Sequence, residues 1–299
     1  MRLGFAVKVV GRAGLRDSDG RRWRNSPHLG VSIQYLSAIF DYLRDVNISM
    51  YRISSRIAPY ITHPELPQFH QQVEECADEL AQLGERARAQ GLRLSMHPEP
   101  FTVLNSPHER VALGAERDLD YHARFLDAMG LGPEAVIVIH GGGVFGEKGA
   151  AMDRFVARYA RLPERVRRRL VLENDERSYS VADIVALHER TGVPLILDNL
   201  HHHLNNPEGW SDREAAEACL RAWPTGVRPK IHFSSRRADE QEGARLDSRH
   251  AEFINPDEFA RFYHATRPWD YDVMLEAKQK DVALLRLRAQ LAERDIATD

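Results

Sequence analysis

Short apolar runs alternate with longer amphipathic stretches along the whole chain. Runs of β type lie near residues 2–7, 49–53, 92–97, 135–140, 170–173, 194–198, 229–233 and 272–277. Between them, segments 33–46, 68–90, 109–129, 148–168, 181–190, 211–222 and 256–266 read as helices, with a last one at 281–294. In 71–89, Val73, Cys76, Ala77, Leu80 and Leu83 recur at three- and four-residue steps, which gathers them on one helical face. Ser211 with Glu214 spells a capping box, and Gly91, Gly130 and Gly192 stand just past helix ends, where a left-handed residue is wanted. Eight strands alternating with eight helices predict one (β/α)8 TIM barrel over residues 1–299, undivided by any linker or low-complexity tract.

The connections are unequal, and the inequality has a direction. Segments leading into strands are short, whereas 8–32, 54–67, 97–108 and 233–255, which leave strands, are long. Long irregular segments in a compact fold usually carry function. Six strands also end on an imidazole or a carboxylate: His97, His140, Glu173, Asp198, His232 and Glu276. Arg52 follows the second strand, and the first reaches only Lys8. Buried parallel strands otherwise favour Val, Ile and Leu, so six such endings argue against a merely structural origin. Parallel strands would gather all six at one mouth of the barrel. DNLHHH adds His201, three residues after Asp198, while His202 and His203 read as supporting or solvent-facing groups. His250 comes late in the long loop after strand seven and can fold back over the mouth. The two oxygens of Glu173 suit it to bridge two ions. Eight candidates exceed the needs of one tetrahedral zinc and suit two or three divalent ions.

Composition narrows the setting. Apolar residues make up 43% of the chain, with no run near the roughly 18 residues of a membrane helix. Only Cys76 and Cys219 are present, both in helix-like segments, which predicts a soluble, reducing, cytoplasmic setting and a monomer without disulfides. The net charge of −3 argues weakly against nucleic acid, but bound divalent ions would offset it. Local clustering then matters more than the total. Arg12, Arg16, Arg21, Arg22 and Arg24 crowd the first long loop, and Arg236 and Arg237 follow strand seven. Arg165, Arg167, Arg168 and Arg169 precede strand five, near the opposite face, and read as a solvated helix end. HGGGVFGEKG, from His140 to Gly149, lacks the Gly-Lys-Ser/Thr ending of a nucleotide loop; it is either a one-phosphate site or a plain tight turn. Asn174, Asp175 and Glu176 either orient metal ligands or cap the next segment.

In this order, SMHPEPF, VIHGGG, LENDE, DNLHHHLN, PKIHFSS and MLEAK resemble the UV damage endonucleases. These are metal-dependent DNA repair nucleases of the barrel superfamily that includes the apurinic endonucleases and xylose isomerase. The resemblance runs from Arg2 to Lys278, and LENDE followed by D-x-x-H-H is its most specific part. It implies that His97, His140, Glu173, Asp198, His201, His232, His250 and Glu276 bind up to three ions, Mn²⁺ first, with Zn²⁺, Co²⁺ or Mg²⁺ as alternatives. It gives catalytic roles to Glu173, Lys230 and Glu276 and places Lys230 beside the metals, where family members carry a carboxylated lysine. An ordinary barrel lysine paired with a carboxylate is the competing reading of Lys230. Family members have Gln and then an aromatic residue after the HP of the strand-three motif; this chain has Pro100 and Phe101. Val9 stands where a second polar probe is expected. The ligand set is therefore complete while the lesion reader is altered.

The implied reaction is hydrolysis of damaged double-stranded DNA on the 5′ side of a lesion, leaving a 3′-hydroxyl and a 5′-phosphate. Lys8, Arg52, Arg56, Arg236 and Arg237 are the expected phosphate contacts, with Tyr60 and Phe101 as wedges between bases. A sugar isomerase or epimerase, an abasic-site endonuclease, and an inactive DNA-binding scaffold are the rival readings. The surplus of histidines and the basic first loop weigh against the sugar enzyme.

Overall fold

The computed structural model describes residues 1–237, 249–267 and 269–298, so most of the long loop after the seventh strand lies outside the described residues. Each predicted β-run contains a strand: β1 (Leu3–Ala6), β2 (Met50–Ile53), β3 (Arg93–Met96), β4 (Val136–His140), β5 (Leu170–Glu173), β6 (Leu195–Ile196), β7 (Lys230–Phe233) and β8 (Asp272–Leu275). They pair in parallel in the order β6-β5-β4-β3-β2-β1-β8-β7. The remaining seam closes through a parallel bridge between Asp198 and His232, where the His232 amide donates to the Leu197 carbonyl at 2.9 Å. The sheet is a (β/α)8 barrel, and two of the expected ligands sit on its closing seam.

The helices are α1 (Leu29–Asp45), α2 (Gln72–Glu75), α3 (Ala77–Ala89), α4 (Glu109–Ala128), α5 (Lys148–Arg161), α6 (Glu164–Arg167), α7 (Val181–Thr191), α8 (Asn199–Leu204), α9 (Asp212–Arg221), α10 (Pro256–Ala265) and α11 (Lys280–Ala292). Two expected helices are interrupted. The segment 68–90 breaks at Cys76, and 148–168 breaks at Leu162, where the following Pro163 disfavours helical backbone. The short α8 has no counterpart in the sequence reading, because six residues carry too little periodicity. Ser211 and Glu214 form the predicted capping box, and Gly192 takes φ +73° at the end of α7. The arginine run before β5 corrects the expectation of a solvated end. Arg169 is buried and donates to the carbonyls of Leu131, Gly132 and Ala135 and to Asp127, while Arg165 and Arg168 pair with Asp120 and Asp127. Those acids and carbonyls belong to α4 and the turn after it, which pack against this segment.

The two-residue period of the strands sorts the barrel interior into layers. On β8, Asp272, Met274 and Glu276 follow one another at that period; on β3 the same series is Arg93, Ser95, His97, and on β4 it is Val136, Val138, His140. Ala6, Met50 and Met274 pack together as a small cluster apart from the main barrel–helix core. Charge therefore sits at both ends of the barrel with an apolar layer between. At the base, Arg93 Nη1 donates to Asp272 Oδ2 at 2.8 Å and its other amino group to the Arg228 carbonyl, while Asp272 Oδ1 accepts the Arg2 amide.

Candidate metal centre and DNA-facing cleft

The mouth is assembled from the inward positions at strand ends. His140 and Glu173 close β4 and β5 in direct register, His97 and Glu276 follow β3 and β8 by one residue, and His232 lies within β7. Asp198 is held by Asn174. The Asn174 side chain accepts the Asp198 amide at 2.8 Å and donates to its carbonyl, extending the sheet by mimicking a strand neighbour. Asn199 grips the backbone of Ser234 in the same two-bonded way, and the Asp198 carboxylate caps α8 by accepting the His201 amide. Of the two readings for the segment after Glu173, Asn174 bonds the backbone of Asp198, a candidate ligand. Asp175 caps a turn by accepting from the amides of Arg177, Ser178 and Tyr179.

All eight expected ligands converge. Glu173 Oε1 lies 2.9 Å from His232 Nδ1 and 3.8 Å from His201 Nδ1, and Oε2 lies 3.3 Å from His97 Nε2. His201 Nδ1 is 3.8 Å from Asp198 Oδ1. Glu276 stands 3.5 Å from His232 and 3.7 Å from His250. The His140 ring centroid lies 5.2 Å from that of His97 and 5.6 Å from that of His201. Two triads have ligand atoms within 4.8 Å of one another, His97–His140–Glu173 and Glu173–Asp198–His232. Glu173 belongs to both.

The chemistry of these atoms fits divalent cations. Among the described residues, His140 Nδ1, Glu173 Oε2, Asp198 Oδ2 and His232 Nε2 are buried without a hydrogen-bond partner. A protein tolerates so many orphaned lone pairs in one place only where something else satisfies them. Burial opposes ionisation of Glu173, but the neighbouring imidazoles of His232, His140 and His97 outweigh it and hold the carboxyl well below its usual range. Burial raises Asp198, reinforced by Glu173 and Glu276. His201 resists its own burial, because Asp198, Glu173 and Glu176 lift it to about 9, whereas burial lowers His97 to about 4. Lys230 is wholly buried and its Nζ has no hydrogen-bond partner among the described residues, although Glu173 and Glu276 lie close enough to act on its charge. Burial, with Arg93 and Arg52 nearby, pushes its amine well below the usual value.

The residues expected to meet DNA divide. Lys8, Arg56, Tyr60 and Phe101 line one cleft of about 740 Å³ beside the mouth. Phe101 is 72% exposed and Arg56 projects past Glu99, while Tyr60 packs on Phe69 with its backbone at φ +57°. Pro100 is exposed beside Phe101, and Val9 packs on the core. Arg52 instead points inward and binds Glu276 Oε1 at 2.5 Å. Arg236 is exposed and its backbone bridges that of His250; Arg237 is half-buried. Trp23 and Phe145 are further exposed aromatics.

Sequence reasoning missed the clamp behind Phe101. Arg158 donates to the Leu104 and Ser106 carbonyls and Arg154 to that of Asn105, while Thr102 donates to Asp118. Residues some 50 positions apart hold that loop, which no local pattern announces. The glycine run after β4 is a tight turn: the Asn105 amide donates to Gly143, and a Cβ on Gly142, at φ +88°, would lie 2.3 Å from Asn105 Oδ1. The amides opening α5 are taken by the Glu147 carboxylate, which displaces the one-phosphate reading. His202 and His203 pair away from the candidate metal centre, with the Trp210 carbonyl and with Asp212.

The comparisons agree with this geometry. The family model described as UV-endonuclease UvdE matches residues 29–299. A protein named UV DNA damage endonuclease, from Bacillus velezensis, is 36% identical over 255 residues, covering 84% of this chain and 77% of its own. The crystal structure of SacUVDE superposes with a TM-score of 0.86 at 30% identity, covering 99% of this chain and all of that one. Endonuclease IV from Thermus thermophilus, 16% identical with a TM-score of 0.62 over 98% of this chain and 100% of its own, shares the fold. Barrel, motifs and matched relatives together make this chain a member of the UV DNA damage endonuclease family.

Proposed function

We propose that this protein is a metal-dependent DNA repair endonuclease that hydrolyses the phosphodiester on the 5′ side of UV photoproducts and other distorting lesions. It holds two or three divalent ions, Mn²⁺ in the first instance, and acts as a cytoplasmic monomer. The observation that carries the proposal is Glu173, shared by two triads whose orphaned lone pairs point at one another. His97 and His140 would serve one ion, Asp198 and His232 another, and His201, His250 and Glu276 complete the set. All donors are nitrogen or oxygen, which suits Mn²⁺ or Zn²⁺, and both cysteines are buried free thiols in helical segments. When bound, such ions polarise the attacking water and stabilise the departing oxygen of a phosphodiester.

The chain's own groups prepare that chemistry. The Arg52 guanidinium pins one oxygen of Glu276 and leaves the other toward His250. The apolar layer below the mouth excludes bulk water. Burial favours the neutral form of the Lys230 amine, the form that would add CO2 to become the carboxylated lysine of the family. On the substrate side, Phe101 offers an apolar wedge, while Pro100 offers no side-chain hydrogen bond to a base edge. Recognition by wedging is cheapest where stacking is already weak, so strongly distorting lesions should be cut best.

The test is nicking of irradiated supercoiled plasmid by Mn²⁺-loaded protein, with unirradiated and abasic plasmid and a panel of ketoses beside it. Nicking that needs irradiation and is abolished by chelator is the expected result. Sugar epimerisation without nicking would overturn the proposal.

A further inference from the structure

Helix α8 has two working faces. One turns His201 toward Glu173 and Asp198; the other turns His203 toward Asp212 at 2.7 Å. That second face lines a pocket of about 270 Å³ between α8, the end of β7 and α10. Its walls carry Ser234, Arg236 and Arg261. Ser234 is buried and its hydroxyl has no hydrogen-bond partner, since Asn199 occupies only its backbone. Neither the Arg236 nor the Arg261 side chain has a hydrogen bond or ion pair with the described residues. The two acids in the lining are already engaged, Asp212 with His203 and Glu258 with the Ser235 hydroxyl. Two guanidiniums and a buried hydroxyl, all without a partner among the described residues, stand around one small pocket and make a receptor for a tetrahedral oxyanion.

We infer that this pocket binds one backbone phosphate of the DNA duplex flanking the cut, through Arg236, Arg261 and Ser234. Position selects DNA over a free anion. The pocket shares α8 and β7 with Asp198, His201 and His232, and the Arg236 backbone bridges that of His250, so a strand entering the mouth runs past it. The inference rests on the endonuclease reading for its substrate, but its test is separate.

The test measures duplex binding by anisotropy across a salt series, for the parent and for Arg261→Ala and Arg236→Ala/Arg261→Ala. Arg261 is exposed, so its loss leaves the fold and the metal content intact. Arg261→Ala should weaken binding about tenfold and reduce the salt slope by about one, and the double variant by about two. Lost cleavage should return at higher DNA concentration. A duplex series carrying one uncharged methylphosphonate should show a single position that costs the parent about tenfold and costs Arg261→Ala nothing. Equal binding by parent and variant, or the same methylphosphonate profile in both, overturns the site. Competition by inorganic phosphate without any methylphosphonate effect would assign the pocket to a free anion and equally overturn it. Duplex binding without cleavage would defeat only the endonuclease reading; a parent that binds no duplex defeats both.

Discussion

The barrel carries buried charge at both ends, and the two ends solve the problem differently. At the base, Arg93 and Asp272 are bonded to each other, and the surrounding arginine, carbonyls and amide fill most of what remains. The groups left over there are guanidinium nitrogens of Arg2, Arg93 and Arg228, each already beside a carboxylate. At the mouth the leftovers are carboxylate oxygens and imidazole nitrogens grouped closely enough to share an ion, with the Lys230 amine buried near Glu173 and Glu276. The base closes its electrostatics within the chain; the mouth groups acceptors that could hold a cation. Buried polarity is thus no sign of function by itself. The sign is buried acceptors from several strands grouped within reach of one ion.

The largest effect should come from the mouth. Glu173→Gln removes the carboxylate common to both triads, and damage-dependent nicking should fall at least about a hundredfold together with metal content. Elemental analysis after Mn²⁺ reconstitution checks this, and a variant that still holds more than one ion per chain would break the contrast. The reverse pattern belongs to the base. Asp272→Asn strands the Arg93 charge and should cost about 3–5 kcal/mol in denaturant unfolding, with ions per folded molecule unchanged. If it sheds metal as Glu173→Gln does, the two ends are not separate devices.

A pH series sharpens the comparison next. His201 is lifted from 6.5 to about 9 in the metal-free barrel, so it keeps its proton at neutral pH and must release it before ligating. Metal affinity should therefore climb about tenfold per pH unit for that proton up to about 9 and level off above it. The same proton stabilises the metal-free fold below the unfolded value of 6.5, and that contribution disappears as pH rises through about 9. Metal-free and metal-loaded protein should diverge over this window; parallel melting curves would sink the assignment.

Smaller effects belong to the rim. Phe101→Ala should lower cleavage of strongly distorted duplex about tenfold, a stacking-sized loss, with metal content untouched. Undiminished cleavage of irradiated DNA, or a parent that prefers weakly distorting lesions, would remove Phe101 as the wedge. Neutralising Arg236 and Arg237 together should flatten the salt dependence of DNA binding by about two in slope. An unchanged slope takes that loop out of the interface while leaving DNA as substrate.

The sequence by itself determined the barrel and the chemistry of its mouth. Strand period, strand count and capping residues are local properties, and a parallel barrel sends every strand end to one face, so His97, His140, Glu173 and Glu276 were legible from position alone. His201 and His250 needed one further step, a turn or loop that folds back. Tertiary structure alone decided which polar atoms remain unsatisfied. Arg52 looks like a phosphate contact until its guanidinium meets Glu276, 224 residues away. Arg169 looks like solvated charge until the carbonyls after α4 close around it. The clamp on the Phe101 loop and the second face of α8 have the same origin. A residue's chemistry is written in its own position, whereas its partners are chosen by contacts between segments far apart in the chain, and only the folded packing brings those together.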